Sequence, residues 1–310
     1  MSSSEAKPDF GALDFQALWK GREKVTAVES EILRSALRIA DPARAIEIGV
    51  GGGRLAPVVQ EHAQEYLAAD VTREFLERVP LSPGVAGFRV GANVLRLPVV
   101  DAAFRSAVMV RVYGFLAEPV AALREIFRIL APGGHLVVSY SPRPSIETLV
   151  SDLKVAGAGP KDRFRSMTFS RDSVVPVRPS SFPAWSSTRT RFAETAMNAG
   201  FERVQEWPSG LEDYRFLRRL PTRVFCSMAR SFSAVGGFPT RFALLRKPGT
   251  APESLPAWER ILACPACRAP WTLDMRWSGG GGVACPSCHR EWAVSNGILD
   301  ARWSGAHPGP

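Results

Sequence analysis

Residues 45–54 read Ala-Ile-Glu-Ile-Gly-Val-Gly-Gly-Gly-Arg, a short apolar strand that runs straight into a glycine turn. Glycine is needed where the backbone takes positive φ or comes within van der Waals reach of a ligand, and Gly49, Gly51 and Gly53 stand at alternate positions. With the helix expected after it, the segment is the strand, turn and helix unit of a doubly wound sheet. It reads as a nucleotide-cofactor site, although a tight connection without a ligand would use the same glycines. A dinucleotide fingerprint wants Gly or Ala three residues after its second glycine, where this chain has Arg54. A pyrophosphate is therefore disfavoured, and an acid, Glu47, stands two residues before the first glycine instead.

Residues 66–70, Tyr-Leu-Ala-Ala-Asp, form a second apolar strand that ends in a carboxylate, Asp70, suited to chelating ribose hydroxyls. Residues 90–98, 104–112 and 118–134 continue the alternation, and the last contains L-R-E-I-x-R-I-L-x-P-G-G. The pattern E-x-G-x-G-x-G resembles motif I of the class I S-adenosylmethionine-dependent methyltransferases, and the later stretches resemble the third to fifth strands of that family. The resemblance implies an α/β fold with a doubly wound, mostly parallel, Rossmann-like sheet over residues 41–247. It also implies S-adenosylmethionine as cofactor. Glu47, Gly49, Gly51 and Gly53 would serve its methionine end, Asp70 the ribose, and Asn93 the adenine amino group through its amide oxygen. Two residues depart from the pattern: Asn93 and Arg105 each stand where the family usually has Asp.

Residues 1–40 read as a helical lid, with Val25, Val28, Ile32, Leu33, Ala36 and Leu37 on one face of the second helix and a first helix over 14–20. Trp19, Arg22 and Lys24 are the residues placed to close over a cofactor. Residues 141–187 and 209–238 interrupt the alternation as substrate-facing insertions, and a Pro-rich linker spans 248–258. A helix over 188–199 stops at Gly200, and strands follow at 201–207 and 241–246.

The net charge of +9 is unevenly placed. Residues 1–140 carry 16 basic and 16 acidic side chains and residues 251–310 carry 5 and 5, so the excess lies in residues 141–250, with 18 and 9. Phe164, Phe169, Trp185, Phe192, Trp207, Tyr214 and Phe216 are interleaved there, a mixture suited to phosphate contacts and base stacking, or simply to a core among arginines. No run of eighteen apolar residues occurs, and the N-terminus lacks an apolar stretch behind its charge, so a cytoplasmic chain without membrane association is expected.

Cys264-Pro-Ala-Cys267 and Cys285-Pro-Ser-Cys288 are two C-x-x-C pairs separated by seventeen residues, the spacing of a four-cysteine zinc ribbon, here residues 259–303. Four thiolates close the coordination sphere, so the Zn²⁺ is expected to be structural. Cys226 is expected to be an inert thiol. Residues 262–302 resemble the small zinc-ribbon activator subunit of eukaryotic and archaeal methyltransferases, whose partners modify tRNA, rRNA and a translation termination factor. Arg268 and His289 occupy knuckle positions that often carry Gly. Trp258, Trp271, Trp277, Trp292 and Trp303 cluster in this end of the chain, which should pack on its own catalytic domain.

Together these features lead to methyl transfer to an O or N nucleophile, with Arg111, Tyr113 and Tyr140 at strand ends near the methyl. The ribbon and the basic segment tilt the expected acceptor toward RNA, tRNA or rRNA. A small-molecule acceptor is the alternative, and a non-catalytic binding protein a further one, motivated by Asn93 and Arg105.

Overall fold

The computed structural model describes residues 19–143, 145, 172–176, 183–214, 217, 219–271 and 281–303. The expected first helix up to residue 18, most of the 141–187 insertion, Phe164, Phe169, Phe216 and Trp277 lie outside them.

Five strands, β1 (Arg44–Ile48), β2 (Glu65–Asp70), β3 (Ala86–Gly91), β4 (Phe104–Met109) and β5 (Leu130–Tyr140), lie parallel in the order β3-β2-β1-β4-β5. Strand order reverses between β1 and β4, so the carboxyl edge there forms the crevice in which this architecture receives ligands. β1 is buried along its whole length and β4 at every position but Arg105, so apolar residues predominate in both without strict alternation.

Helix α1 (Glu23–Ala40) lays Val28, Ile32, Leu33, Ala36 and Leu37 on one face of the sheet, beside the short α2 (Ala56–Gln60). The expected amphipathic stripe is therefore a packing face. A turn of helix, α3 (Arg73–Leu76), follows β2, and α4 (Pro119–Ile129) covers the opposite face with Leu123, Ile126 and Ile129. Pro119 fits the first turn of α4, where a missing N–H costs nothing.

Beyond β5, strands β6 (Pro142–Arg143), β7 (Asp172–Pro176) and β8 (Pro183–Thr188) make a separate small sheet in the order β6-β8-β7. Thr188 caps α5 (Arg189–Asn198) by accepting from the Arg191 N–H at 3.0 Å, and Gly200 ends it at φ 99°. Then β9 (Glu202–Ser209), α6 (Thr222–Ser231) and β10 (Thr240–Arg246) complete this half, with β10 antiparallel to both β5 and β9.

The ribbon differs from a module hung on a linker. Its strands β11 (Gly281–Ala284), β12 (Glu291–Ser295) and β13 (Ile298–Asp300) continue the main sheet, because β13 pairs in parallel with β3, Leu299 opposite Val90. One ten-stranded sheet results among the described residues. Trp258 packs on Phe88 at 5.0 Å between ring centroids, and Trp271 and Trp292 are buried in the same core as Ile126 and Leu123. Arg105, the residue that departs from the family pattern, donates to the Pro252 carbonyl at 2.9 Å and so pins the linker. Arg44 does the same with Pro256 at 2.6 Å.

Candidate functional site

The three alternating glycines all take left-handed backbone, with φ of 68°, 55° and 80° at Gly49, Gly51 and Gly53. Their surroundings differ. A Cβ on Gly49 would run into the Val112 side chain, and one on Gly53 would lie 2.7 Å from Pro80 Cδ and 3.0 Å from Val79 Cα. A Cβ on Gly51 would meet nothing within 4 Å. Two of the glycines thus let protein pack on protein, while Gly51 lines open space at the crevice.

Asp70, at the carboxyl end of β2, accepts the Gly51 N–H at 2.8 Å and the Thr72 N–H at 2.8 Å. Burial raises its pKa, and the hydrogen bonds from Thr72 and Gly51 act against that rise. Glu47, one residue from the end of β1, is buried and accepts the Tyr66 hydroxyl at 2.6 Å. Burial pushes its carboxyl up to about 7, with Tyr66 and Arg54 pulling the other way. Asn93 spends its amide oxygen locally, accepting the Leu95 N–H at 3.0 Å in a turn after β3.

Arg111 follows β4 with a left-handed φ of 58°, and its N–H donates to Ser139 Oγ at 2.7 Å. Its guanidinium is 2.6 Å from Glu29, a fully buried residue of α1, and Arg54 reaches the other Glu29 oxygen, also at 2.6 Å. Burial alone would raise the Glu29 pKa, but the two guanidiniums outweigh it and hold the carboxyl below its ordinary value. The Trp19 ring lies 3.6 Å from the Arg54 guanidinium and 5.2 Å from that of Arg111. This cluster joins the N-terminal helix to the glycine turn. Sequence reasoning named Trp19 and Arg111 but missed Glu29, although an acid one residue after Val28 and four after Val25 already sits on the apolar stripe.

Tyr113 and Tyr140 come together, but over Phe192 rather than in the crevice. The Tyr140 ring stacks on Phe192 at 3.9 Å and Tyr113 meets it edge-on at 5.2 Å. The Tyr140 hydroxyl donates to Glu206 at 3.1 Å, and burial first, then Glu206, raises its pKa far above the usual phenol range. Such a hydroxyl keeps its proton, so a base role is ill suited to Tyr140.

Arg189, Arg203 and Arg241 also converge on Glu206, at 2.7, 3.8 and 3.4 Å. Arg246 pairs with Glu202 at 3.5 Å, and Lys247 donates to the carbonyls of Phe127 and Leu130. Of these members of the basic middle segment, Arg241 is used inside the fold, while Arg203 and Arg246 pair at the surface.

The ligand atoms of Cys264, Cys267, Cys285 and Cys288 all lie within 4.8 Å of one another, with Cys264 to Cys288 at 3.7 Å and Cys267 to Cys285 at 3.5 Å. A tetrahedron with Zn–S bonds of about 2.3 Å has S···S edges of about 3.8 Å, so the donor set fits Zn²⁺. In both knuckles the backbone bond expected of a C-x-x-C turn forms, Arg268 N–H to Cys264 at 2.8 Å and His289 N–H to Cys285 at 3.0 Å. Arg268 and His289 take the left-handed φ that Gly usually supplies, 66° and 57°. Arg268 gains a function there: it grips Glu125 of α4 bidentately at 2.8 and 2.9 Å.

Residues 46–138 match the family described as the methyltransferase domain. The chain has the fold of a class I S-adenosylmethionine-dependent methyltransferase. The demethylmenaquinone methyltransferase of Chlamydia trachomatis serovar L2 is 34% identical over 106 residues, 32% of this chain and 45% of that protein. The chain thus spans less than half the length of this curated relative. A methyltransferase of Thermotoga maritima, described as a possible histamine N-methyltransferase, superposes with a TM-score of 0.50 at 19% identity over 76% of this chain and 95% of its own. A chain from the complex between the Haloferax volcanii Trm112 methyltransferase activator and a methyltransferase superposes with a TM-score of 0.50 at 13% identity, over 77% and 96%. At these identities the two structures are alike in fold alone. No described helix is long and apolar enough to cross a membrane.

Proposed function

We propose that this chain transfers a methyl group from S-adenosylmethionine to a nucleophile on a small molecule, and not, as the charge distribution suggested, to RNA. The observation that carries the change is the match of 106 residues, 32% of the chain, to demethylmenaquinone methyltransferases. The complete burial of Arg241 against Glu206 supports it, since an arginine with no exposed face is withdrawn from phosphate recognition. The non-catalytic reading loses half its motive, because Arg105 has a structural task at the linker.

Bound in the crevice, S-adenosylmethionine supplies an electrophilic methyl on its sulfonium. The residues of the chain act by placement. Gly51 leaves the room, the Asp70 carboxylate would hold the ribose, and Glu47 would hold the methionine end. Arg111, part-exposed at the end of β4, is the residue of the expected three best placed to orient an acceptor, while Tyr113 and Tyr140 shape the wall behind it. The zinc of the four-cysteine centre is structural in this reading.

The test offers radiolabelled S-adenosylmethionine with a demethylated naphthoquinol, a small-molecule cell extract and total RNA in parallel, at low and high salt. Label in the small-molecule arms that persists at high salt supports the reading. Label in RNA alone, lost at high salt, would return the acceptor to nucleic acid.

A further inference from the structure

Strand β13 runs parallel to β3 and ends at Asp300, level with Gly91. Its continuation, Ala301-Arg302-Trp303, therefore leaves the sheet at the same carboxyl edge as Asp70 and Val71. The Ala301 N–H donates to the Gly91 carbonyl at 2.8 Å. Arg302 then reaches across the end of β3, and its guanidinium donates to the Val71 carbonyl at 3.2 Å. Asp300 fixes the plane of that guanidinium, accepting from Nε at 2.7 Å and from a terminal nitrogen on its other oxygen. Gly91 makes the approach possible: a Cβ there would lie 3.2 Å from Asp300 Oδ1 and 3.6 Å from Arg302 Cγ.

Three segments distant in the chain thus meet on one rim of the crevice. Val71 directly follows the carboxylate offered to the ribose, and its side chain is 42% exposed. Leu95, in the turn after β3, is 37% exposed. Arg302 has its edge held by Asp300 and Val71 while 43% of its side chain remains open. Two uncovered apolar side chains and an oriented guanidinium plane, beside a ribose-binding acid, match a purine, whose faces stack on apolar groups and on Arg.

We propose that Arg302 forms the outer wall of the nucleoside end of the cofactor site, its guanidinium lying against the adenine. The four-cysteine module then contributes a binding residue to the crevice in addition to covering the edge of the sheet. The proposal rests on the S-adenosylmethionine reading given above. An exposed Arg–Asp pair by itself contributes little to stability, so a purely structural Arg302 would leave affinity untouched.

The experiment is calorimetric titration of the full-length, zinc-loaded chain with S-adenosylhomocysteine and with methylthioadenosine, which keeps the nucleoside and lacks the amino-acid end. Arg302→Ala should weaken both by the same factor, roughly three- to tenfold, with zinc content and the melting temperature of the unliganded protein unchanged. Arg302→Lys keeps a donor for the Val71 carbonyl but has no plane to stack, and should remain weak. If Arg302→Ala unfolds the module, the lysine variant decides. Wild-type affinity for both ligands in Arg302→Lys, or in a folded Arg302→Ala, overturns the proposal. A wild-type chain that binds neither ligand overturns the cofactor reading itself.

Discussion

Gly49 and Gly51 share a backbone conformation and differ in what stands over them, so they separate packing from binding. Gly49→Ala drives a methyl into Val112 and should cost about 2–3 kcal/mol of stability in urea unfolding, strain and overpacking together. Gly51→Ala has open space and should cost only about 1 kcal/mol, yet weaken S-adenosylhomocysteine binding in the same titrations. Glu47 makes a prediction in pH. Its carboxyl is raised in the folded state to about 7 from an ordinary 4.5, so between those values the unfolded chain releases a proton that the folded chain keeps. Stability should fall as pH rises through that window, by roughly 2–3 kcal/mol, and Glu47→Gln should flatten the slope in urea melts at successive pH values. The glycines, Asp70 and the four cysteines were legible because their chemistry demands fixed residue types at fixed spacing. The surroundings of Tyr140 were not legible, because its stacking partner, Phe192, belongs to a helix some fifty residues later.

At the scale of elements, the apolar stripe marked α1 and Gly200 marked the end of α5, since apolar spacing and helix stops are local properties, and apolar runs marked the strands. The sequence did not show that β13 would dock on β3, because parallel pairing leaves no trace in either strand beyond its apolar character. The docking is held by the sole carboxylate of α4, Glu125, which accepts Arg268 from the first knuckle, Arg128 from its own helix and the Leu97 N–H at 2.7 Å. Arg268 and Arg128 outweigh burial and keep its pKa low. Glu125→Ala would take the carboxylate from Arg268 and leave Arg128 with Asp101 and the carbonyls of Val99 and Leu97, and a loss of about 2–3 kcal/mol is expected by urea unfolding. A loss below about 1 kcal/mol would mean that the other contacts hold the module: the β13–β3 pairing, Arg96 on the Pro265 and Ala266 carbonyls, and the packing of Trp258, Trp271 and Trp292.

For the molecule as a whole, a four-cysteine ribbon built into the sheet would make metal and fold one system. Atomic absorption should find one zinc per chain. Chelation should lower the melting temperature by more than about 5 °C, with tryptophan fluorescence and far-ultraviolet dichroism changing together in one transition, because β11 to β13 share a sheet and a core with β3. Two separated transitions would show the ribbon to be energetically independent. The pairing of Ile298 with Arg89, 209 residues earlier, also bears on biosynthesis. While the chain is still on the ribosome, β3 has no neighbour on its outer side, and its open N–H and C=O groups wait until residues 298–300 emerge. A nascent chain of this kind carries an open sheet edge for longest when the rest of its sheet is already complete, and that edge closes only once residues 281–300 have emerged.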